Sequence, residues 1–351
     1  MSDVLSPATH SSVEAIRFTN QTLQLLDQRR LPHDVIYIDY IDGFEVAKAI
    51  KDMVVRGAPA IGITAAYGIA LEAIQQKDQP QLNLNAVMEA LAQSRPTAVN
   101  LFWAIEQMQA CLNHASNLSV TQQVKTLIQK ANDILHEDIE ANQAMGELGA
   151  SLISQDAQVY THCNAGALAT GGHGTALGVI RSANTLNKIK HVYAGETRPW
   201  LQGARLTAWE LMQEGIPVSL CAEGAAGQLL RQGKIEWIIV GADRIAANGD
   251  VANKVGTYNL AVLAKHHNVK VMVVAPSTTF DLKTATGNDI PIEDRPQNEV
   301  THLQGLSIAP ENCQAINPSF DMTPNELIDA IVCEKGILTA PYKERITTIL
   351  S

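Results

Sequence analysis

The sequence predicts an α/β protein: a C-terminal Rossmann-like, doubly wound parallel sheet, with a smaller, mainly helical N-terminal domain carrying a short antiparallel β region. Three observations lead there. After residue 155, short apolar runs (158–162, 191–194, 217–221, 236–241 and 270–275) alternate with helical ones, the pattern of βα units. Before residue 155, apolar residues recur at helical spacing, apart from β-branched and aromatic stretches near the start. Polar residues also recur just past the apolar runs: Cys163, Glu196-Thr197-Arg198, Glu223, Asp243-Arg244 and Ser277-Thr278. Right-handed crossovers would gather these on the carboxyl edge of the sheet, where open sheets bind ligands.

A chain of 351 residues accommodates two domains. The expected division is 1–125 for the N-terminal β/helical domain and 126–351 for the Rossmann-like catalytic domain, with a helix at about 121–154 bridging them. Apolar residues make up 46% and charged residues 18%, an ordinary globular balance. The net charge of −10 argues against a nucleic-acid surface, which needs clustered Lys and Arg. A few local cations would still suffice for a small anionic ligand. The opening MSDVLSPATHSS lacks the basic and apolar regions of a signal peptide. The longest apolar run, Ala58 to Leu71, is shorter than the ~20 residues of a membrane span. Five cysteines without a CxxC pair suggest free thiols in a reducing compartment, so the expectation is a cytoplasmic protein without membrane contact.

Taken in order, residues 13–41 read as antiparallel strands interrupted at Pro32-His33. Residues 44–55 place Val46, Ile50, Met53 and Val54 on one helical face. Arg56-Gly57-Ala58-Pro59 then reads as a turn opening a helix that continues to Ile74. Such an N-terminus holds anions readily, and Arg56 stands beside it as a bidentate partner. The same turn would equally serve to start a packed Ala/Gly-rich helix. A polar loop spans 75–85, and helical runs follow near 86–94 and 97–112. Arg95, between them, reads as a solvated charge at a helix boundary, with an anion contact as the alternative.

The stretch 158–182 carries the strongest local signal. An apolar run ends at Thr161-His162, Cys163 follows, and a turn rich in glycine (Gly166, Gly171, Gly172, Gly174) leads to a helical run from Thr175. A cysteine near a helix N-terminus can act as a thiolate nucleophile or move protons. Asp243 ends the apolar run WIIVGAD, where partial desolvation would favour the protonated acid. Each has a plainer reading: Cys163 as a small core residue, Asp243 as a helix N-cap or a partner of Arg244. Cys111, Cys221 and Cys333 lie in apolar runs and read as packing. Residues 248–254 read as a loop in which Asn253 and Lys254 could bind hydroxyls and phosphate. GxxxxGK[ST], GxGxxG after a strand and GxSxG are all absent. His162, His173 and His191 lack metal-ligand spacing and read as structural. These residues point to an enzyme without metal or cofactor that acts on a small anionic molecule through Cys/Asp acid–base chemistry.

Several long motifs then carry a resemblance. RGAPAIG (56–62), THCNAGALATGGHGTALGVIR (161–181), ETRPWLQGARLTAWEL (196–211) and GADRIAANGDVANKVGTYNLAVLAKHH (241–267) look like the methylthioribose-1-phosphate isomerase family. LLDQRRLP (25–32), IPIEDRP (290–296) and NPSFDMTPNELI (317–328) extend the match almost end to end. The resemblance implies conversion of 5-methylthioribose 1-phosphate to 5-methylthioribulose 1-phosphate in methionine salvage, by a homodimer. It implies Cys163 and Asp243 as the catalytic pair, and Arg56, Gly57, Ala58, Arg95, Gln202, Asn253 and Lys254 as substrate contacts. His173 departs from the family, where tyrosine is expected in many relatives, and bears on a loop contact rather than the reaction. Two related readings are a ribose-1,5-bisphosphate isomerase, which would need further cations, and a non-catalytic subunit of the same fold, like the translation initiation factor relatives.

Overall fold

Strands β1 (Ile16–Thr19), β2 (Thr22–Leu26) and β3 (Tyr37–Tyr40) form the expected antiparallel sheet in the computed structural model, which describes residues 13–96 and 98–350. The polar opening segment and Thr97, where one helical run was expected to begin, lie outside the described residues. By contacts the chain divides into two units: 1–143 with 166–174, and 144–165 with 175–351.

The first unit is built on helices α1 (Gly43–Lys51), α2 (Ala58–Gln75), α3 (Asn85–Ser94) and α4 (Val99–His114). It also takes the early part of α5 (Val120–Ser151). Asp42 starts α1 by accepting from the Phe44 and Glu45 amides, at 2.7 and 3.0 Å. α2 is buried almost all round and rich in Ala and Gly, so it serves as the central helix. Its tyrosine, Tyr67, stacks on Phe18 and donates to Asn132 Oδ1 at 3.0 Å.

The second unit holds the large sheet. Strands β4 (Ala157–Thr161), β5 (Ile189–Gly195), β6 (Val218–Cys221), β7 (Ile235–Val240) and β10 (Lys270–Val274) fall within a residue or two of the apolar runs. Helices α6 (Ala176–Thr185), α7 (Ala208–Gln213), α8 (Ala226–Arg231), α9 (Thr257–His267) and α11 (Tyr342–Leu350) accompany them, with a four-residue α10 (Asn298–Thr301). Two further strands, β15 (Ala330–Cys333) and β16 (Gly336–Leu338), complete the order β16-β15-β10-β7-β4-β5-β6. All neighbours are parallel except β16, which returns as an antiparallel hairpin edge, so the sheet is mixed rather than wholly parallel. Alternation along the strands feeds two cores. Ile238 and Val240 pack with Leu230 of α8 and Leu260 of α9, whereas Trp237 and Ile239 pack with Val179 and Ile180 of α6. That is the doubly wound arrangement.

A second, four-stranded sheet lies within the same unit: β11 (Phe280–Asp281), β8 (Arg244–Ala246), β9 (Val251–Lys254) and β14 (Phe320–Thr323), in that order. β9 replaces part of the loop expected at 248–254. A short hairpin, β12 (His302–Leu303) with β13 (Leu306–Ser307), completes the described strands. No helix among the described residues is long and apolar enough to cross a membrane.

Candidate active site

From β4 the chain winds outward through β5 to β6, then returns to β7 on the other side of β4 and continues to β10. The order therefore reverses between β4 and β7, the place where open sheets leave a crevice at their carboxyl ends. Cys163 lies two residues beyond β4 and Asp243 three beyond β7. The two strands pair Thr161 with Ile239, and Thr161 Oγ1 donates to the Ile239 carbonyl at 2.8 Å. Past the strand ends, Gly241 comes so close to Ala165 that a Cβ added there would be 2.8 Å from the alanine methyl. The segment carrying Cys163 and that carrying Asp243 thus leave the sheet side by side.

Cys163 is half-buried and holds φ of +59°, a left-handed backbone that costs an L-residue about 1–2 kcal/mol. Two fully buried threonines support it. Its N–H donates to Thr197 Oγ1 at 2.8 Å, and its carbonyl accepts from Thr207 Oγ1 at 2.6 Å. The helical run expected from Thr175 is α6, which starts at Ala176 with Thr175 as its N-cap, and the Thr175 and Leu177 amides donate to the Ala165 carbonyl. The neighbouring Asn164 donates to Thr207 Oγ1 at 3.2 Å and to Glu210 Oε1 at 2.8 Å. Glu210 is fully buried and paired at 2.8 Å with Arg181, which also meets Glu214 at 2.6 Å.

His162, also buried, has its Nε2 2.9 Å from the Val255 carbonyl, so that nitrogen carries the proton. Burial pulls its pKa down to about 4, against a smaller upward pull from that hydrogen bond. The imidazole is therefore neutral.

Asp243 is half-buried, and its amide donates to the Ala252 carbonyl at 2.9 Å. It is followed by β8 and not by a helix, so it is no N-cap, and Arg244 pairs instead with Asp281 at 3.3 Å. Asn253 is buried on β9 and donates to Thr257 Oγ1 at 3.0 Å. Lys254 donates to the Ser319 carbonyl at 2.9 Å and lies 4.6 Å from the Phe320 ring centre, using one of its three donors. The N-terminus of α9 is already filled: Asp321 accepts from the Gly256 and Tyr258 amides at 2.6 and 3.1 Å. Burial pushes the Asp321 pKa up to about 6. Gln202 precedes a π-helical turn, Gly203–Thr207, which leads into α7. Its Oε1 is buried with no hydrogen-bond partner among the described residues. Leaving such an acceptor unmade costs about 1–3 kcal/mol.

In the first unit, Arg56 is buried and Gly57 takes φ of +97° immediately before α2. A Cβ at Gly57 would be 2.7 Å from the backbone of Ala169, so both the dihedral and the close approach require glycine. Pro59 sits in the first turn of α2, and no side chain caps that helix. Ala58 is its first residue. Arg95, half-buried, is the C-cap of α3. His173, also of this unit, is buried with φ of +64°. Among the described residues no cluster of three or more His, Cys, Asp or Glu is placed to hold a metal ion.

The family model described as the initiation factor 2 subunit family matches residues 54–340. The chain belongs to that family. The methylthioribose-1-phosphate isomerase of Alcanivorax borkumensis is 56% identical over 338 residues, covering 96% of this chain and 97% of that one. The protein of the same name from Thioalkalivibrio sulfidiphilus is 54% identical over 342 residues, 97% of each. The crystal structure of 5-methylthioribose 1-phosphate isomerase from Pyrococcus horikoshii superposes with a TM-score of 0.92 at 38% identity, over 99% of both chains. A structure from A. fulgidus described as the delta subunit of translation initiation factor eIF-2B gives 0.85 at 41%, over 97% of this chain and 99% of that one.

Family members thus carry different functional names on one fold, and residues must decide between them. Sequence reasoning singled out Cys163, Asp243, Asn253 and Lys254, but gave no role to Thr207, Asn164, Glu210 or Arg181. The one available signal was the pair of polar residues, Arg181 and Glu210, inside apolar helical runs. A cavity of about 730 Å³ in the second unit, walled by α8 and α9 with Tyr160, His162 and Glu223, was not anticipated either.

Proposed function

We propose that the chain is an aldose–ketose isomerase that converts 5-methylthioribose 1-phosphate to 5-methylthioribulose 1-phosphate in methionine salvage. The observation that carries this reading is the placement of Cys163 and Asp243 on either side of the switch point, in a chain matched nearly end to end by relatives of that name. The chemistry needs two proton-transfer groups. With phosphate on the anomeric oxygen the sugar has no free aldehyde, so an acid must protonate the ring oxygen as its bond to C1 breaks. The C2 proton must then leave, C1 must gain one, and the C2 hydroxyl must lose its own.

Asp243 enters as the carboxylic acid, protonates the ring oxygen, and later takes the hydroxyl proton as the C2 carbonyl forms. Cys163 enters as the thiolate, removes the C2 proton to give an enol phosphate, and returns it at C1. Both residues end as they began. Arg56 with the Gly57-Ala58 turn, Arg95 and Lys254 answer the phosphate charge. Gln202, with its buried acceptor, and Asn253 take sugar hydroxyls. The family resemblance implies a homodimer, and the unpaired cysteine spacing supports a cytoplasmic protein.

Steady-state kinetics of Asp243→Asn and Cys163→Ser test the assignment. Each should lower kcat by ~10² to 10⁴ if it carries acid–base work. Wild-type turnover in either variant would remove that residue from the reaction. Turnover of ribose 1,5-bisphosphate in place of the methylthio sugar would overturn the substrate.

A further inference from the structure

The backbone of Cys163 is gripped from both sides by hydroxyls that no part of the proposed reaction uses. Thr197 Oγ1 accepts its N–H and donates in turn to the Gly195 carbonyl at 3.0 Å. Thr207 Oγ1 donates to its carbonyl and accepts from Asn164, whose amide also reaches Glu210. Thr207 closes the π-helical turn that begins just after Gln202, and π-turns recur at functional sites because they re-aim side chains within a helix. The turn is closely packed. A Cβ at Gly203 would overlap the Gly195 carbonyl oxygen, and the buried Glu210–Arg181 pair fixes the next turn of helix.

We propose that Thr207 and Thr197 are positioning residues, a hydroxyl clamp that holds Cys163 in its left-handed conformation and so aims the thiol. The proposal rests on the reading of Cys163 as the reacting thiol. A valine has nearly the shape of threonine but cannot donate to the carbonyl or accept the amide, whereas a serine keeps both functions. Relaxing the clamp moves the thiol relative to the substrate carbon. Displacements of about 1 Å can cost on the order of 100-fold in rate.

The test compares Thr207→Val with Thr207→Ser, and Thr197→Val with Thr197→Ser, so that one pair remains if a variant does not fold. Steady-state kcat and KM are measured together with the pH dependence of iodoacetamide alkylation at Cys163, read by peptide mass spectrometry. The valine variants should lose about 10- to 100-fold in kcat with little change in KM, and the serine variants should recover it. The alkylation profile of Cys163 should shift in the valine variants, while that of the exposed Cys313 stays unchanged. Wild-type kcat and an unshifted profile in folded valine variants would overturn the clamp. Full turnover by Cys163→Ser, run alongside, would overturn it by a different route, by removing the thiol from the reaction.

Discussion

Protonation of His162 gives a prediction whose size follows from the structure. The ring is 1% exposed, and its Nε2–H points to the Val255 carbonyl. Nδ1 faces Thr197 Oγ1 at 3.5 Å and Glu223 Oε1 at 3.8 Å. Folding holds its pKa at about 4 against about 6.5 in an unfolded chain. As pH falls below 6.5 the unfolded chain takes up a proton that the folded chain refuses until about pH 4. Stability from this group is therefore complete above pH 6.5 and is lost progressively on acidification. Between pH 7 and pH 5 the loss is about 2 kcal/mol. Glu223 and Asp321, whose pKa values burial raises, act in the opposite sense, so the total slope of stability with pH is a sum. His162→Gln isolates the histidine, because its amide can still donate to Val255. Urea unfolding of both proteins at pH 7 and pH 5 should show the variant losing about 2 kcal/mol less over that interval. Equal losses would refute the reasoning, as would a histidine resonance assigned to His162 that titrates near its ordinary value.

Two further outcomes follow from the backbone. Gly57→Ala places a methyl against Ala169 at a positive φ and should destabilise the protein by more than about 1 kcal/mol while raising KM through Arg56. An unchanged urea midpoint together with an unchanged KM would remove the turn from the account. Asp321→Ala uncaps α9 and should cost ~0.5–2 kcal/mol. Because the folded pKa of Asp321 is raised to about 6, its contribution is greatest at low pH and is lost as pH rises through that value. The cost of Asp321→Ala should therefore be about 1 kcal/mol larger at pH 5 than at pH 8, and a smaller cost at pH 5 would contradict the assignment.

The sequence exposes its local structure well and its long-range pairings poorly. β4, β5, β6, β7 and β10 are apolar runs separated by helical ones, so periodicity and length locate them to within a residue or two. From sequence β9 reads as loop because Asn253 and Lys254 have no strand propensity. It is a strand because β14, more than 60 residues away, pairs Phe320 with Lys254 and Asp321 with Asn253. The antiparallel β16 leaves no sequence signal for a similar reason: three residues at the end of a hairpin carry no period of their own. Cys163 and Asp243 stand out in sequence as candidates because both interrupt apolar runs. Thr197 and Thr207 do not, since threonines that bond a backbone 34 and 44 residues away look like any other threonines. Arg95, from sequence alone a solvated charge, proves half-buried at the end of α3.

The central claim, isomerisation without a free aldehyde, is tested most directly with 5-methylthioribose 1-phosphate labelled with carbon-13 at C1. Purified wild-type protein, stripped of metal by a chelator, is followed by carbon-13 NMR. The account predicts that the anomeric signal disappears and a phosphorylated methylene signal of the ketose replaces it, with no such change in the presence of Cys163→Ser. A folded wild-type protein that leaves the anomeric signal intact would contradict the account.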